Sequence, residues 1–308
     1  MLADNSQPES VTLTEVGLRD GIQIENRRIP TGMKLELIEA LVAAGLKSLQ
    51  ITAFVHPDKV PQMADAEELL SRIHLHAGVE FTGLVLNQNG VTRAQAAGLQ
   101  NVEISVSASD THSRKNAGLS LEQARNLSVE MVMRAKEAGL HVKAGIQCAF
   151  GCVYEGPVPA SRIRDMAAAY VQAGADALAL ADTTGMATPV SVADLLATIG
   201  PVAGNLPLSL HLHDTRGLGL VNLMKALEFG VTRFDTSFGG MGGCPFVPGA
   251  AGNIATEDTV HLLSSLGIET GIDIEKVAAI SRTMGDFFGK PLPGKLYNLR
   301  VNRPKAED

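Results

Sequence analysis

The chain has 308 residues, 45% hydrophobic but only 4% aromatic, with no tryptophan and a formal net charge of −7. That is material for a sizeable core packed by Ala, Leu, Val and Ile. The acidic balance argues against nonspecific nucleic-acid binding, and three cysteines (Cys148, Cys152, Cys244) are too few for a disulfide framework. No apolar run reaches the length of a membrane span. The first ten residues carry no basic or apolar leader pattern, so a cytoplasmic location is expected.

Short apolar runs alternate with longer amphipathic ones. Strands are predicted at 11–18, 48–54, 80–85, 102–108, 141–150, 177–182, 206–214 and 233–238, with helices between them, among them 33–44, 121–138 and 160–173. Many helices close on a glycine just before the next strand, as in Ala44-Gly45, Ala138-Gly139 and Ala173-Gly174. Strand–helix alternation forces parallel pairing. Eight such units favour an α/β fold closed as a (β/α)8 TIM barrel, which ordinarily needs about 250 residues. No G-x-G-x-x-G follows the first strand, which weakens a dinucleotide-binding reading. Two extra C-terminal helices are predicted at 257–265 and 274–288. No linker interrupts the pattern, so a single domain over 1–308 is expected, with a catalytic core of about 11–290.

In such barrels the reactive side chains lie at the C-terminal strand ends. The first strand runs into Arg19-Asp20-Gly21 and the seventh into His211-Leu-His213-Asp214. Residues two apart on a strand share a face, so His211 and His213 are expected to point together. Two imidazoles and the Asp20 carboxylate make a facial metal site. The competing explanation, a hydrogen-bonded core histidine pair, fits a strand-end His-x-His followed by Asp less well. The eighth strand leads into a glycine-dense loop, 239–253, readable as a lid or as a plain connector. Cys244 among glycines and prolines is placed by this reading at the cleft, as an acid or base, and Asn253 offers a neutral oxygen to a metal. Cys148 and Cys152 lack a second cysteine pair for a closed zinc site and are expected to line the barrel mouth.

Several motifs resemble the 3-hydroxy-3-methylglutaryl-CoA lyase family. They are Arg19-Asp20-Gly21, Phe54-Val55 with Val60-Pro61-Gln62-Met63, Gly151-Cys152 with Tyr154-Glu155-Gly156, and Asp182-Thr183 with Gly185. His211, His213-Asp214-Thr215, Gly242-Gly243-Cys244-Pro245, Gly252-Asn253 and Ala255-Thr256-Glu257-Asp258 complete the set, over about residues 11–290. Related metal-dependent barrels, the isopropylmalate synthase-like enzymes and 4-hydroxy-2-oxoacid aldolases, share Arg-Asp and His-x-His but not the cysteine loop. The resemblance implies Asp20, His211, His213 and Asn253 as ligands of Mg²⁺ or Mn²⁺. It implies Arg19 as the group that offsets an enolate, Cys244 as a catalytic cysteine on a mobile loop, and Asp182 as a further active-site aspartate. Gln23 and Asn87 would line the pocket. The implied reaction is retro-Claisen cleavage of an acyl-CoA thioester to acetyl-CoA and a keto acid, acetoacetate in the parent case. Asp20 would be the base and Cys244 the proton donor, in a homodimer with no nucleic-acid or membrane partner.

The chain also departs from the family pattern. Gln50 stands where the family has a glutamate near the metal, Ala53 replaces a serine, Gly145 a tyrosine and Asn26 a lysine, while Lys143 keeps a basic residue. One reading is a tolerated exchange in a working lyase. The other is an acyl pocket widened at 53 and 145 and retuned to another 3-hydroxyacyl-CoA, such as citramalyl-CoA or a longer-chain 3-hydroxyglutaryl-CoA. An aldolase, or a barrel that binds a CoA ester without turnover, is the further alternative. Arg27-Arg28 and Arg114-Lys115 are candidate phosphate partners, or else solvated surface.

Overall fold

The computed structural model describes residues 7–243 and 251–301. The chain alternates from the start: β1 (Thr12–Glu15), α1 (Thr31–Ala43), β2 (Ser48–Phe54), α2 (Ala66–Arg72), β3 (Glu80–Val85), α3 (Gln88–Ala96) and β4 (Asn101–Ser107). Two helices, α4 (Asp110–Ala117) and α5 (Leu121–Glu137), precede β5 (His141–Gln147). Then follow α6 (Ala160–Gln172), β6 (Ala177–Ala181), α7 (Pro189–Ala203), β7 (Leu208–His211), α8 (Gly219–Leu227) and β8 (Arg233–Thr236). Three further helices close the described chain: α9 (Thr256–Ser265), α10 (Ile274–Phe288) and α11 (Leu296–Val301).

All neighbouring strands pair in parallel and β8 returns to β1, so the sheet is a closed eight-stranded barrel. The apolar core lies mainly between the sheet and the helices, where Leu41, Val102, Met131, Ile163, Leu196 and Leu223 are buried. The barrel interior is polar. Lys143 on β5 reaches Asp235 on β8, and Gln50 on β2 reaches Glu103 on β4. Neither pair of strands is adjacent, so these contacts must cross the interior. Buried charges are expensive unless paired, and here they pair with one another. The β2–β3 register shifts between Gln50 and Thr52, a bulge of the kind that re-aims side chains near active sites.

The expected strands all form, but several stop early. β1 ends at Glu15, and residues Gly17–Gly21 wind into a π-helical turn. The Glu15 carboxylate causes the turn locally: its Oε1 accepts from the Gly17 amide at 2.7 Å and from the Phe238 amide at 3.0 Å. Gly17 is obligatory there, because a Cβ would lie 2.4 Å from the Phe238 ring. β7 likewise ends at His211 rather than at 214, because Leu212 and Asp214 bond the returning segment at Ile254 and Gly252 instead of a neighbouring strand. A buried ion pair anchors the loop that leads out of the π-turn. Lys34 on α1 meets Asp65 at 2.6 Å, and the Gln62 amide donates to the Glu25 and Arg27 carbonyls at 2.8 Å each. Among the described residues, no helix is long and apolar enough to cross a membrane.

Candidate active site

The π-turn after β1 carries Arg19 and Asp20 inward, both buried. Asp20 Oδ1 accepts from Gln23 Nε2 at 2.9 Å and from Arg19 Nη1. Its Oδ2 accepts from Asn253 Nδ2 at 2.8 Å and lies 3.8 and 3.9 Å from Nε2 of His211 and His213. The two imidazole Nε2 atoms are 3.1 Å apart. His213 has left the strand, yet both rings still face Asp20, because its backbone bridges to Asn253. Asp20, His211 and His213 thus bring three donor atoms within 4.8 Å of one another.

The electrostatics of the three groups differ. Burial works to raise the Asp20 pKa, but the Arg19 guanidinium and the two imidazoles outweigh it and hold the carboxyl well below its usual range. Burial, with His211 beside it, pushes His213 down to about 4, so it stays neutral and free to donate a lone pair. Burial also disfavours charge on His211, but the Asp235 hydrogen bond and the Asp20 charge prevail and raise it.

The site fits a divalent cation on two further observations. Asn253 Oδ1 is buried with no hydrogen-bond partner among the described residues, beside a carboxylate and two imidazoles. Buried polar atoms are rarely left unpaired without reason. The donor set of two nitrogens and two oxygens also suits a borderline-to-hard divalent ion. Gly242 allows this approach: at φ 115°, a Cβ would sit 2.6 Å from Asn253 Nδ2 and 3.3 Å from Asp20 Oδ2.

A line of charges runs behind the cluster. Arg19 Nε donates to Gln50 Oε1. Gln50 Nε2 donates to Glu103 Oε2 at 2.8 Å, and Lys143 Nζ meets the same oxygen at 2.7 Å. Lys143 also lies 3.5 Å from Asp235 Oδ1, and Asp235 Oδ2 lies 3.1 Å from His211 Nδ1. Burial opposes the Lys143 charge, but Asp235 and Glu103 reverse that and raise its pKa. Glu103 and Asp235 were not foreseen. The available signal was a charge at an interior strand position in each of β4, β5 and β8, Glu103, Lys143 and Asp235, which ask for one another once buried.

A cavity of about 690 Å³ opens from this end of the barrel, within the size range of ligand pockets. Its lining includes Arg19, Asp20, Gln23, His211, His213 and Gly243, together with Leu84, Leu86, Asn87 and Leu127. Asn87 also caps α3 through Gly90 N at 2.8 Å. Ala53 lines the cavity, as do Glu103 and Ser105. The described lining does not include Gly145. The space its side chain would take is filled, since a Cβ there would lie 2.8 Å from Ser105 Oγ and 3.3 Å from Glu103 Oε1. Ser105 and Glu103 thus occupy the space beside Gly145, while Ala53 faces the cavity directly.

Other expectations shift in the same way. Asp182, just past β6, lies off the described lining: its Oδ1 holds the following turn through the Met186 and Ala187 amides at 2.7 and 3.0 Å. Its Oδ2 is buried without a partner among the described residues, and burial raises its pKa to about 7. Cys148 and Cys152 are buried and are also absent from that lining. Cys148 has a left-handed backbone at φ 55°, and its amide donates to Thr183 Oγ1 at 2.9 Å. Cys244 lies outside the described residues. Arg27 stacks on Phe287 at 3.8 Å, Arg114 pairs with Asp110 at 2.7 Å and Lys115 sits 4.9 Å over Tyr154, so these candidate phosphate partners are engaged elsewhere. Lys59 and His56, after β2, line the cavity instead.

Comparison with known proteins shows the family. The HMGL-like family model matches residues 10–284. Hydroxymethylglutaryl-CoA lyase YngG of Bacillus subtilis is 38% identical over 294 residues, covering 96% of this chain and 98% of that protein. (R)-citramalyl-CoA lyase of Chloroflexus aurantiacus is 40% identical over 295 residues, covering 92% and 93%. A structure of an HMG-CoA lyase from Acinetobacter baumannii, in complex with coenzyme A and 3-methylmalate, superposes with a TM-score of 0.90 at 34% identity, covering 100% and 99%. The chain belongs to the HMGL-like family of carbon–carbon lyases.

Proposed function

We propose that this protein cleaves a 3-hydroxy-3-methylglutaryl-CoA-like thioester to acetyl-CoA and a keto acid, in a reaction that depends on a divalent cation. The observation that supports this most is the convergence of Asp20, His211, His213 and the unpaired Asn253 oxygen at a ligand-sized cavity, with Arg19 beside them. These four residues would hold Mg²⁺ or Mn²⁺, which when bound supplies Lewis acidity that lowers the pKa of the substrate's tertiary alcohol.

The chain's own groups would then act in sequence. Asp20 takes the hydroxyl proton as a weak base, since Arg19 and both imidazoles depress it. As the C3 oxygen becomes a carbonyl, the C2–C3 bond breaks and its electron pair stays on C2 as a thioester enolate. Arg19 offsets that negative charge. Its Nε and Nη1 are already held by Gln50 and Asp20, which leaves its remaining donors for the enolate oxygen. Cys244, which follows the cavity-lining Gly243 in the sequence, delivers the proton to C2. Gln23 and Asn87 line the acyl path, while Gln50 and Lys143 act from behind. Asp182 holds the neighbouring turn. The coenzyme A complex of the Acinetobacter baumannii relative supports an acyl-CoA as the ligand, and Lys59 and His56 are the groups at this cavity suited to its phosphates.

A second substrate is favoured by a specific finding, the 40% identity to a citramalyl-CoA lyase. The chemistry is the same, with pyruvate in place of acetoacetate. Incubation with each thioester and Mg²⁺ or Mn²⁺, scored by keto acid and acetyl-CoA released, separates the two. Metal-dependent acetoacetate release is the expected result; no cleavage of either thioester would end the proposal.

A further inference from the structure

Gln50 is one of the positions at which this chain departs from the family pattern, and the structure shows what it bonds. Its side chain bridges a cation and an anion: the carbonyl oxygen accepts from Arg19 Nε, and the amide nitrogen donates to Glu103 Oε2 at 2.8 Å. An amide can do both, whereas an ionised carboxylate has no proton to give and an ammonium no lone pair. Glu103 is in turn held by Lys143 at 2.7 Å. Glu103 Oε1 sits against the cavity beside Ser105.

Resting on the lyase reading above, we propose that Glu103 is the positioning residue for Arg19, acting through Gln50, so that a negative charge on β4 does here what a glutamate at position 50 would do directly. The line Lys143–Glu103–Gln50–Arg19 fixes the guanidinium at Nε, while Asp20 fixes it at Nη1. An arginine held at two points presents its remaining donors in one direction, which is what a preorganised enolate site requires. Glu103 makes no direct contact with Arg19 in this line; it reaches the guanidinium through the amide of Gln50.

The pair also explains why glutamate is excluded at position 50. Gln50→Glu would place a carboxylate oxygen where the amide nitrogen stands, 2.8 Å from Glu103 Oε2. Two carboxylates that close cannot both stay ionised without a large penalty. The single change therefore breaks the line instead of restoring a family-like site, and the compensating change is Glu103→Gln, which exchanges the two groups and returns a donor to face an acceptor.

The test is a double-mutant cycle on the full chain: wild type, Gln50→Glu, Glu103→Gln and the double variant. With Mn²⁺ and the best-cleaved thioester, each single variant is expected to lose about 10- to 100-fold in kcat, as is common when groups behind a site are changed. KM should stay within about threefold, because Arg19 acts on charge that develops in the transition state. The double variant is expected to recover most of the loss. Urea unfolding midpoints of the four metal-free proteins give a second readout, in which the double variant should be more stable than the sum of the singles predicts. A Gln50→Glu enzyme as fast as wild type or faster, or additive losses in both readouts, overturns the inference. If the wild type cleaves no thioester, the proposed function falls separately, and the unfolding cycle alone decides whether 50 and 103 are coupled.

Discussion

Asp235 Oδ2 lies 3.1 Å from His211 Nδ1, on the neighbouring strand, and so fixes which nitrogen of that ring faces Asp20. The hydrogen bond leaves Nε2 as the free lone pair at the cation site and raises ligand basicity, the usual service of a carboxylate behind a metal-binding histidine. Asp235 is itself fully enclosed and shares Lys143 with Glu103. Asp235→Asn keeps the shape but removes the charge. It should weaken Mn²⁺ binding by about 10- to 100-fold, read by isothermal titration, and lower kcat in step. Unchanged affinity would show that His211 is oriented by packing alone.

Removal of the cation should abolish turnover and lower stability together. A ligand at 100 times its dissociation constant stabilises the folded state by about 2.7 kcal/mol. Thermal melts with and without Mn²⁺ should therefore differ in the wild type and coincide in His213→Ala. That variant removes a donor that burial keeps neutral, so its metal-free melt should change less than its metal response. A persisting Mn²⁺ shift in His213→Ala, with turnover intact, would place the cation elsewhere.

Gly242 gives a backbone test of the same site. At φ 115°, a Cβ would press Asn253 Nδ2 from 2.6 Å, and the left-handed region disfavours any other residue. Gly242→Ala should cost about 1–3 kcal/mol of stability from strain and displace the Asn253 oxygen. Metal affinity should fall more steeply than in Gly98→Ala, whose added Cβ meets nothing within 4 Å although its φ is 81°. Equal affinities in the two variants would mean that Asn253 is not a ligand.

The barrel was legible because each strand–helix unit carries its own apolar run and its own glycine stop. The strand ends were not. Val16, Leu18 and Leu212 are buried like strand residues, but their backbones bond a turn or a returning segment, and periodicity reports burial rather than bonding partner. Arg19-Asp20 and His211-x-His213 were visible as local patterns. Glu103 and Asp235 were not, since each gains its meaning from partners on other strands. Gln50 read as a lost charge in the sequence; in space the charge stands 2.8 Å away on Glu103. Asp182 entered by resemblance alone; in space its Oδ1 serves the turn that follows, while its Oδ2 stays buried.

Glu15 supplies a pH dependence that can be isolated. It is fully buried under the π-turn, where burial, only partly offset by hydrogen bonds from Thr256, Gly17 and Phe238, pushes its pKa up to about 8. An acid whose folded pKa lies above its unfolded value gives stability that is present below about pH 4.5 and lost as pH rises through 8. The proton has a home: Oε2 lies 2.7 Å from Thr256 Oγ1, which is 2.8 Å from Thr236 Oγ1 and can turn its own proton that way. Glu15→Gln mimics the protonated form, because Oε1 keeps the Gly17 and Phe238 amides and the new amide faces Thr256. Unfolding free energies from urea titrations should fall between pH 5 and 9 more steeply for wild type than for Glu15→Gln, by an amount on the order of 4 kcal/mol at most from 1.36 kcal/mol per pKa unit. Parallel pH profiles for the two proteins would show that Glu15 is ionised in the fold, held by its three donors.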